Sequence, residues 1–517
     1  MVICFLAVQP HGNSSVVVHM ITSKKLLYIL LPLAFSNVVL MIWITAVEPA
    51  PVTAVFFPLS VGGCAFCWFL LPGRNTEFKL ASPSIREIAL IGFLIRLGAM
   101  LAFHVNLFGF GKFQTPDTLQ YHQQGMAIAD ILRKNAFTLG TYDVILNQVV
   151  SNPHIGYPLF NGTVYAMFGD NVLLPKLFNV FFGVGLVVVT WKLALLLFNS
   201  KVATYVALAT ALHPTLIFWG ALNLKEAMYS FLVMVIVLLA IRFVNRPNVT
   251  LGLSFFLIVI VTFLVRGNLT YFLLLGIIIF WIVSFLKAKQ WKVLAVMALL
   301  FLAFILLVVP YIPAANAYFS KTLRGELFEK VLTRAQNYWD KHDIVRFGVR
   351  PELSLEGLTK MLFLGFGTMM VAPLPWSAEG IGLCKVPGAI LRPIFYPLAF
   401  YGIFLCVREN WLKYFPLYYF PIVVIGGLIL IAMGGMVRWQ TPMLSFMIVL
   451  AVFSLSRFTT IRMYYLGYLS LLYLGYILLY YVETGHFIPV TLILTILGST
   501  LVYIQNLRNS IDPNRSL

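Results

Sequence analysis

Apolar runs close to a bilayer's thickness recur from one end of this 517-residue chain to the other. A helix of about twenty apolar residues matches the hydrocarbon core of a membrane. A single soluble core has no use for so many such runs, whereas a lipid-facing bundle does. The pattern predicts an all-α polytopic membrane protein. Charge agrees: 10% of the residues are charged and 61% hydrophobic, where a soluble domain carries about a quarter charged.

At a twenty-residue criterion the runs predict about fourteen transmembrane helices. They cover 26–47, 53–71, 87–109, 172–198, 203–222, 227–244, 251–265, 271–286, 293–311, 389–407, 415–433, 443–455, 463–482 and 489–504. The net charge of +18 would suggest nucleic acid in a soluble chain. Here Lys and Arg gather at alternate connections, as they do in cytoplasmic loops. With the N-terminus inside, those connections hold Lys24 and Lys25; Arg74, Lys79 and Arg86; Lys201; Arg242 and Arg246; Lys287, Lys289 and Lys292; Arg408 and Lys413; Arg457 and Arg462; Arg508 and Arg515. Membrane lipids, not nucleic acid, are the expected surroundings. Segment 358–375 is apolar enough to span, but counting it would put the last basic groups outside. It therefore reads as an interfacial or re-entrant piece on the outer side. Met20, soon followed by Lys24 and Lys25, looks the more natural start, and residues 1–19 are expected to matter little.

Two large outer loops result, 110–171 and 312–388. The second carries a basic amphipathic stretch whose Leu323, Leu327, Val331 and Ala335 share one helical stripe. It would rest on lipid headgroups or beside an anionic lipid-linked substrate. The chain divides into an N-terminal region (1–86) with two extra spans, a core (87–455), and a C-terminal hairpin with a short tail (456–517). Of the cysteines Cys4, Cys64, Cys67, Cys384 and Cys406, the C-x-x-C pair at Cys64 and Cys67 lies inside an apolar run with no second pair. It reads as packing, not zinc or redox chemistry.

Charged groups near the membrane need a reason. Asp117 follows Pro116, a helix-start signal, and shares a helical face with Tyr121, Gln124 and Ile128. It is either a solvated acid on a loop helix or a catalytic carboxylate at the outer surface. His122 lies on another face, too little for a metal site with Asp117 alone. Lys225 and Glu226 occupy a short outer turn, as a helix-terminal ion pair or as site groups. Arg266 and Arg438 sit in outer turns that positive-inside bias disfavours, and a phosphate would suit their planar donor forks. Arg96, deep in its span, reads as structural.

The order of these features resembles the C-type (GT-C) multispanning glycosyltransferases, which use polyprenyl-phosphate sugars. The resemblance runs over about residues 87–455. An Asp-centred first loop reads PDTLQYHQQGMAIA, then YPLFNGTVYAMFGDN and HPTLIFWGALNLKEA. The Arg266 hairpin, APLPW and RWQTP follow. It implies Asp117 as catalytic base, with Arg266, Arg438 and Lys225 at the donor phosphate and Glu226, Tyr121 and His122 nearby. Thr118 follows Asp117 where some relatives carry an Asp-Glu pair, which leaves a divalent metal open. No other cofactor is implied.

The expected reaction is inverting transfer of a sugar from a polyprenyl-(di)phosphate donor to a hydroxyl of a glycolipid or surface polysaccharide. The expected setting is the extracytoplasmic face of a bacterial inner membrane. An O-antigen-type polymerase is the alternative, with an R-x10-G pattern at Arg346–Gly357, and a lipid or solute transporter is the second. The polymerase would depend on its arginines. A transporter usually places its ionisable groups near the midplane.

Overall fold

The computed structural model describes residues 8–9, 17–18, 23–47, 50–65, 67, 84–107, 109, 115–134, 141, 144–145, 155–293, 295–296, 299, 384–430 and 437–457. The amphipathic stretch of the second loop, segment 358–375, Arg346–Gly357, most of span 293–311 and the spans 463–482 and 489–504 lie outside these residues. Helix dominates what is described. The exception is a short ladder that pairs β1 (Val8–Gln9) with β2 (Val17–Val18).

The chain is an α-helical membrane protein. Five described helices are long and apolar enough to cross a bilayer, or six if one bent pair counts as a span. In order the helices are α1 (Ser23–Val47), α2 (Ala50–Ala65), α3 (Ile85–His104), α4 (Pro116–Lys134), α5 (Gly156–Phe168) and α6 (Leu173–Leu197). Then come α7 (Ser200–Leu212), α8 (Pro214–Gly220) and α9 (Glu226–Asn245), followed by α10 (Val249–Gly267) and α11 (Leu269–Lys287). The last are α12 (Val386–Leu430) and α13 (Val437–Ser456). Local signals set several starts. Ser84 and Glu87 form a capping box on α3, and Asn199 and Asn248 cap α7 and α10 through their side-chain oxygens.

The predicted span 203–222 is a broken one: α7 and α8 meet at 53°. Pro214 has no N–H to give to the Thr210 carbonyl, and the Thr215 N–H turns to His213 Nδ1 instead. Both orphaned carbonyls are met from α3. Arg96 donates to Thr210 O at 2.9 Å and to Ala211 O at 2.9 Å, and back to Gly92 O in its own helix. The fully buried Arg96 is thus a structural plug for a helix break, as the sequence suggests.

Two tight hairpins follow. At Arg266 the backbone leaves helix (φ −161°, ψ 80°), and the rings of Phe255 and Trp281 meet at 4.6 Å. A continuous helix would hold those residues on the order of 40 Å apart, so α10 and α11 fold back on each other. α12 does the same at Asn410 (φ −164°, ψ 87°). Its first half runs parallel to α13: Arg392 and Tyr396 reach Gln440, and Gly402 lies against the Leu450 backbone. Its second half runs antiparallel, since Tyr414 meets Phe453 and Phe420 meets Phe446.

These contacts give the bundle two distinct ends. At one, Lys413 donates to Leu197 O (2.9 Å), and Arg457 pairs with Glu409 (3.3 Å). The helix directions bring Arg86, Lys201, Arg242, Arg246, Lys287, Lys289 and Arg408 to this end too. At the other, Asn179 reaches Leu222 O and Leu224 O, and Phe103 packs on Phe218. Asp117, Lys225, Glu226, the Arg266 turn and the first turn of α13 with Arg438 belong to that second end. It also carries Arg133 paired with Asp170 at 2.7 Å.

Candidate functional site

α4 and α5 form a polar-faced pair at the second end of the bundle. The pair closes tightly because both helices present glycine. A Cβ on Gly125 would come within 2.8 Å of the Tyr165 ring, and one on Gly162 would strike Ile128. α4 begins with a reciprocal cap. Thr118 N–H donates to Thr115 Oγ1 (3.3 Å), and Thr115 N–H donates to Thr118 Oγ1 (3.2 Å). Between them stand Pro116 and Asp117. Asp117 is half-buried in the first turn, where the helix dipole favours an acid.

A buried amide–phenol network ties this pair to the bundle. The Tyr157 hydroxyl accepts from Asn179 Nδ2 (2.8 Å) and donates to Asn223 Oδ1 (2.9 Å). Asn161 Nδ2 also donates to Asn223 Oδ1 (3.1 Å) and approaches Tyr121 O at 3.3 Å. Asn223 Nδ2 in turn donates to Thr118 O at 3.5 Å. Asn161, Asn179, Asn223 and Tyr157 are all 0% exposed. The network runs from the residue beside Asp117 to the turn that carries Lys225 and Glu226. Burial holds the Tyr157 and Tyr165 phenols well above the usual tyrosine range, so both remain protonated at physiological pH.

Several sequence-selected residues come together here. The buried Lys225 ammonium lies 6.0 Å from the centre of the Tyr121 ring, and Tyr121 packs edge-on to Tyr157. Glu226, fully buried at the start of α9, lies 3.9 Å from Arg266. Arg266 also sits over the Tyr229 ring at 5.7 Å. Its turn is fixed on two sides. Thr270 Oγ1 donates to Arg266 O (2.7 Å), and a Cβ on Gly156 would meet Leu264 and Val265 backbone atoms within 2.7 Å. The start of α5 therefore rests directly on the Arg266 break.

His122 stands apart on the next face of α4, with Nδ1 2.8 Å from the Tyr165 hydroxyl. Arg438 lies in the first turn of α13, at the same end of the bundle. Asp130, on the far side of α4, meets Arg133 at 3.4 Å. A divalent ion would find one half-buried carboxylate in Asp117 and one imidazole already engaged by Tyr165. No group of three His, Cys, Asp or Glu side chains able to hold a metal occurs among the described residues.

Sequence reasoning missed the asparagines. Asn179 and Asn223 are lone amides within apolar runs, a recognisable anomaly, but their partners lie elsewhere in the chain. It also missed a second buried cluster, in which Arg392 and Tyr396 both donate to Gln440 Oε1 at 3.1 and 2.9 Å.

No protein-family model matches the chain, and no curated protein matches it.

Proposed function

We propose that the chain is a membrane glycosyltransferase that moves a sugar from a polyprenyl-(di)phosphate donor to an acceptor hydroxyl on a glycolipid or surface polysaccharide. The observation that carries this reading is a run of buried charges at one end of the bundle: Lys225 lies over Tyr121, on the helix that Asp117 opens, and the adjacent Glu226 meets Arg266. By the positive-inside rule, the end rich in Lys and Arg faces the cytoplasm and the Asp117 end faces outward. A bacterial inner membrane is the corresponding setting.

In the proposed reaction Asp117 takes the proton of the acceptor hydroxyl. The oxygen attacks the anomeric carbon as the bond from that carbon to the donor phosphate oxygen breaks, in one inverting displacement. The phosphate leaves with an added negative charge, which Lys225, Arg266 and Arg438 stabilise. Glu226 holds Arg266 near the site and offsets part of its charge. The low exposure of Lys225, Glu226 and Arg266 strengthens their interactions.

The test is transfer from a panel of radiolabelled polyprenyl-phosphate sugars by the full chain in nanodiscs. Asp117→Asn should lower turnover at least about a hundredfold, the lower range for a lost general base, with unchanged thermal unfolding. Substantial transfer by that variant sinks the assignment of the base. Activity lost in Arg346→Ala but kept in Asp117→Asn would favour the polymerase. Uptake of substrate into vesicles without product would favour the transporter.

A further inference from the structure

At the basic end, far from Asp117, a cavity of about 430 Å³ opens where α6, α9, α11 and the Asn410 turn converge. Its volume falls in the range of small-ligand sites, roughly 300–1,000 Å³. The lining divides by chemistry. Leu196, Ile241, Val244 and Phe280 give an apolar wall, and Lys287 and Lys413 give two ammonium groups.

Helix ends normally favour cations, because their last carbonyls carry partial negative charge. Here several of those carbonyls are already engaged. Leu197 O accepts from Lys413 Nζ, Arg242 O from the Arg246 N–H, and Phe285 O from the Gln290 N–H. Lys289 adopts φ 55° to close the α11 end. The nearby Glu409 carboxylate is taken by Arg457. Lys287 has no ion pair with a described residue. Lys413 uses two of its three donors on Leu197 O and the Tyr414 hydroxyl. The cavity therefore keeps a positive surplus.

Its depth in the membrane is marked by tryptophan. Trp411 beside the Asn410 turn is 47% exposed, and Trp291 just after α11 is 62% exposed. Exposed tryptophans at the end of an apolar bundle settle at the headgroup level.

We infer that this cleft seats the headgroup of an anionic phospholipid from the membrane leaflet at the basic end. Lys287 and Lys413 bind the phosphate, and the apolar wall takes the glycerol and upper acyl chain. The site does not depend on the transferase reading.

Native mass spectrometry of the full chain in mild detergent, equilibrated with equal phosphatidylglycerol and phosphatidylcholine, tests it. The wild type should retain one phosphatidylglycerol in preference to phosphatidylcholine. Lys287→Gln/Lys413→Gln should lower that preference about thirtyfold, and Lys287→Arg/Lys413→Arg should keep it. Asn245→Trp, at the exposed rim, should block the cleft with both charges intact. Equal retention of the two lipids by the wild type overturns the proposal, as does unchanged preference in the glutamine variant or in Asn245→Trp. Displacement of the lipid by millimolar glycerol phosphate would reassign the site to a soluble phosphate ester and equally refute it.

Discussion

Asn223→Leu should be far more damaging than Tyr157→Phe, although both remove one polar group from the same buried network. Tyr157→Phe deletes a hydroxyl that accepts from Asn179 and donates to Asn223. Asn179 keeps Leu222 O and Leu224 O as acceptors at 2.6 and 2.9 Å, and Asn223 Oδ1 keeps Asn161 as a donor. No group is stranded, so the loss should be about 1 kcal/mol, the net worth of a typical hydrogen bond. Asn223→Leu instead removes the acceptor of the Tyr157 hydroxyl and of Asn161 Nδ2, and the donor to Thr118 O. The Tyr157 hydrogen is left buried without an acceptor, and a stranded group of that kind costs about 1–3 kcal/mol. With the bonds to Asn161 and Thr118 O lost as well, the total is about 3 kcal/mol. Because the residues touch, the double variant should fall short of the sum by about 1 kcal/mol. SDS-induced unfolding in mixed micelles, followed by far-UV circular dichroism, measures all three. Equal damage from the two single substitutions, or strict additivity, would refute the network.

Arg96→Met should strand the Thr210 and Ala211 carbonyls and cost about 3 kcal/mol in the same unfolding assay. Adding Pro214→Ala should recover part of that by restoring an N–H for Thr210 O; no recovery would mean that Arg96 acts otherwise. Stability should also fall in alkali. The folded phenols of Tyr157 and Tyr165 titrate above the ordinary value of 10.0 because burial disfavours their charged form. Their contribution is complete below the unfolded value and lost as the pH rises from there toward the folded values. Melting temperatures should be level to about pH 9 and drop above about pH 10, less steeply in a Tyr157→Phe/Tyr165→Phe variant; an equal drop in that variant would place the alkaline weakness elsewhere.

Much of the bundle was legible because apolar length is a local property. The predicted spans 172–198 and 227–244 lie within a few residues of α6 and α9. Both hairpin turns fell where the sequence placed a polar interruption, at Arg266 and near Arg408–Lys413. Segment 203–222 reads as one continuous span although Pro214 marks a break, and the cure for that break comes from Arg96, more than a hundred residues earlier. No local pattern reports such a pairing. The site divides in the same way. Lys225, Glu226 and Arg266 stood out because charge is conspicuous in an apolar chain. Asn161, Asn179 and Asn223 did not, because an amide is a modest anomaly alone, and its meaning lies in the partner.

The amide network also bears on how the chain enters its membrane. α6 carries Asn179, whose acceptors, Leu222 O and Leu224 O, lie in the turn after α8. At about 5–20 residues per second, a ribosome needs roughly two to nine seconds to make the intervening chain. Throughout that interval the Asn179 amide lacks two of its three native partners, keeping only the Tyr157 hydroxyl, which is made earlier. Release of α6 alone into hydrocarbon would expose a polar group at a cost of several kcal/mol. Release of α6 apart from its neighbours is therefore unfavourable here, and the network favours entry of α6 together with α5 and the turn before α9.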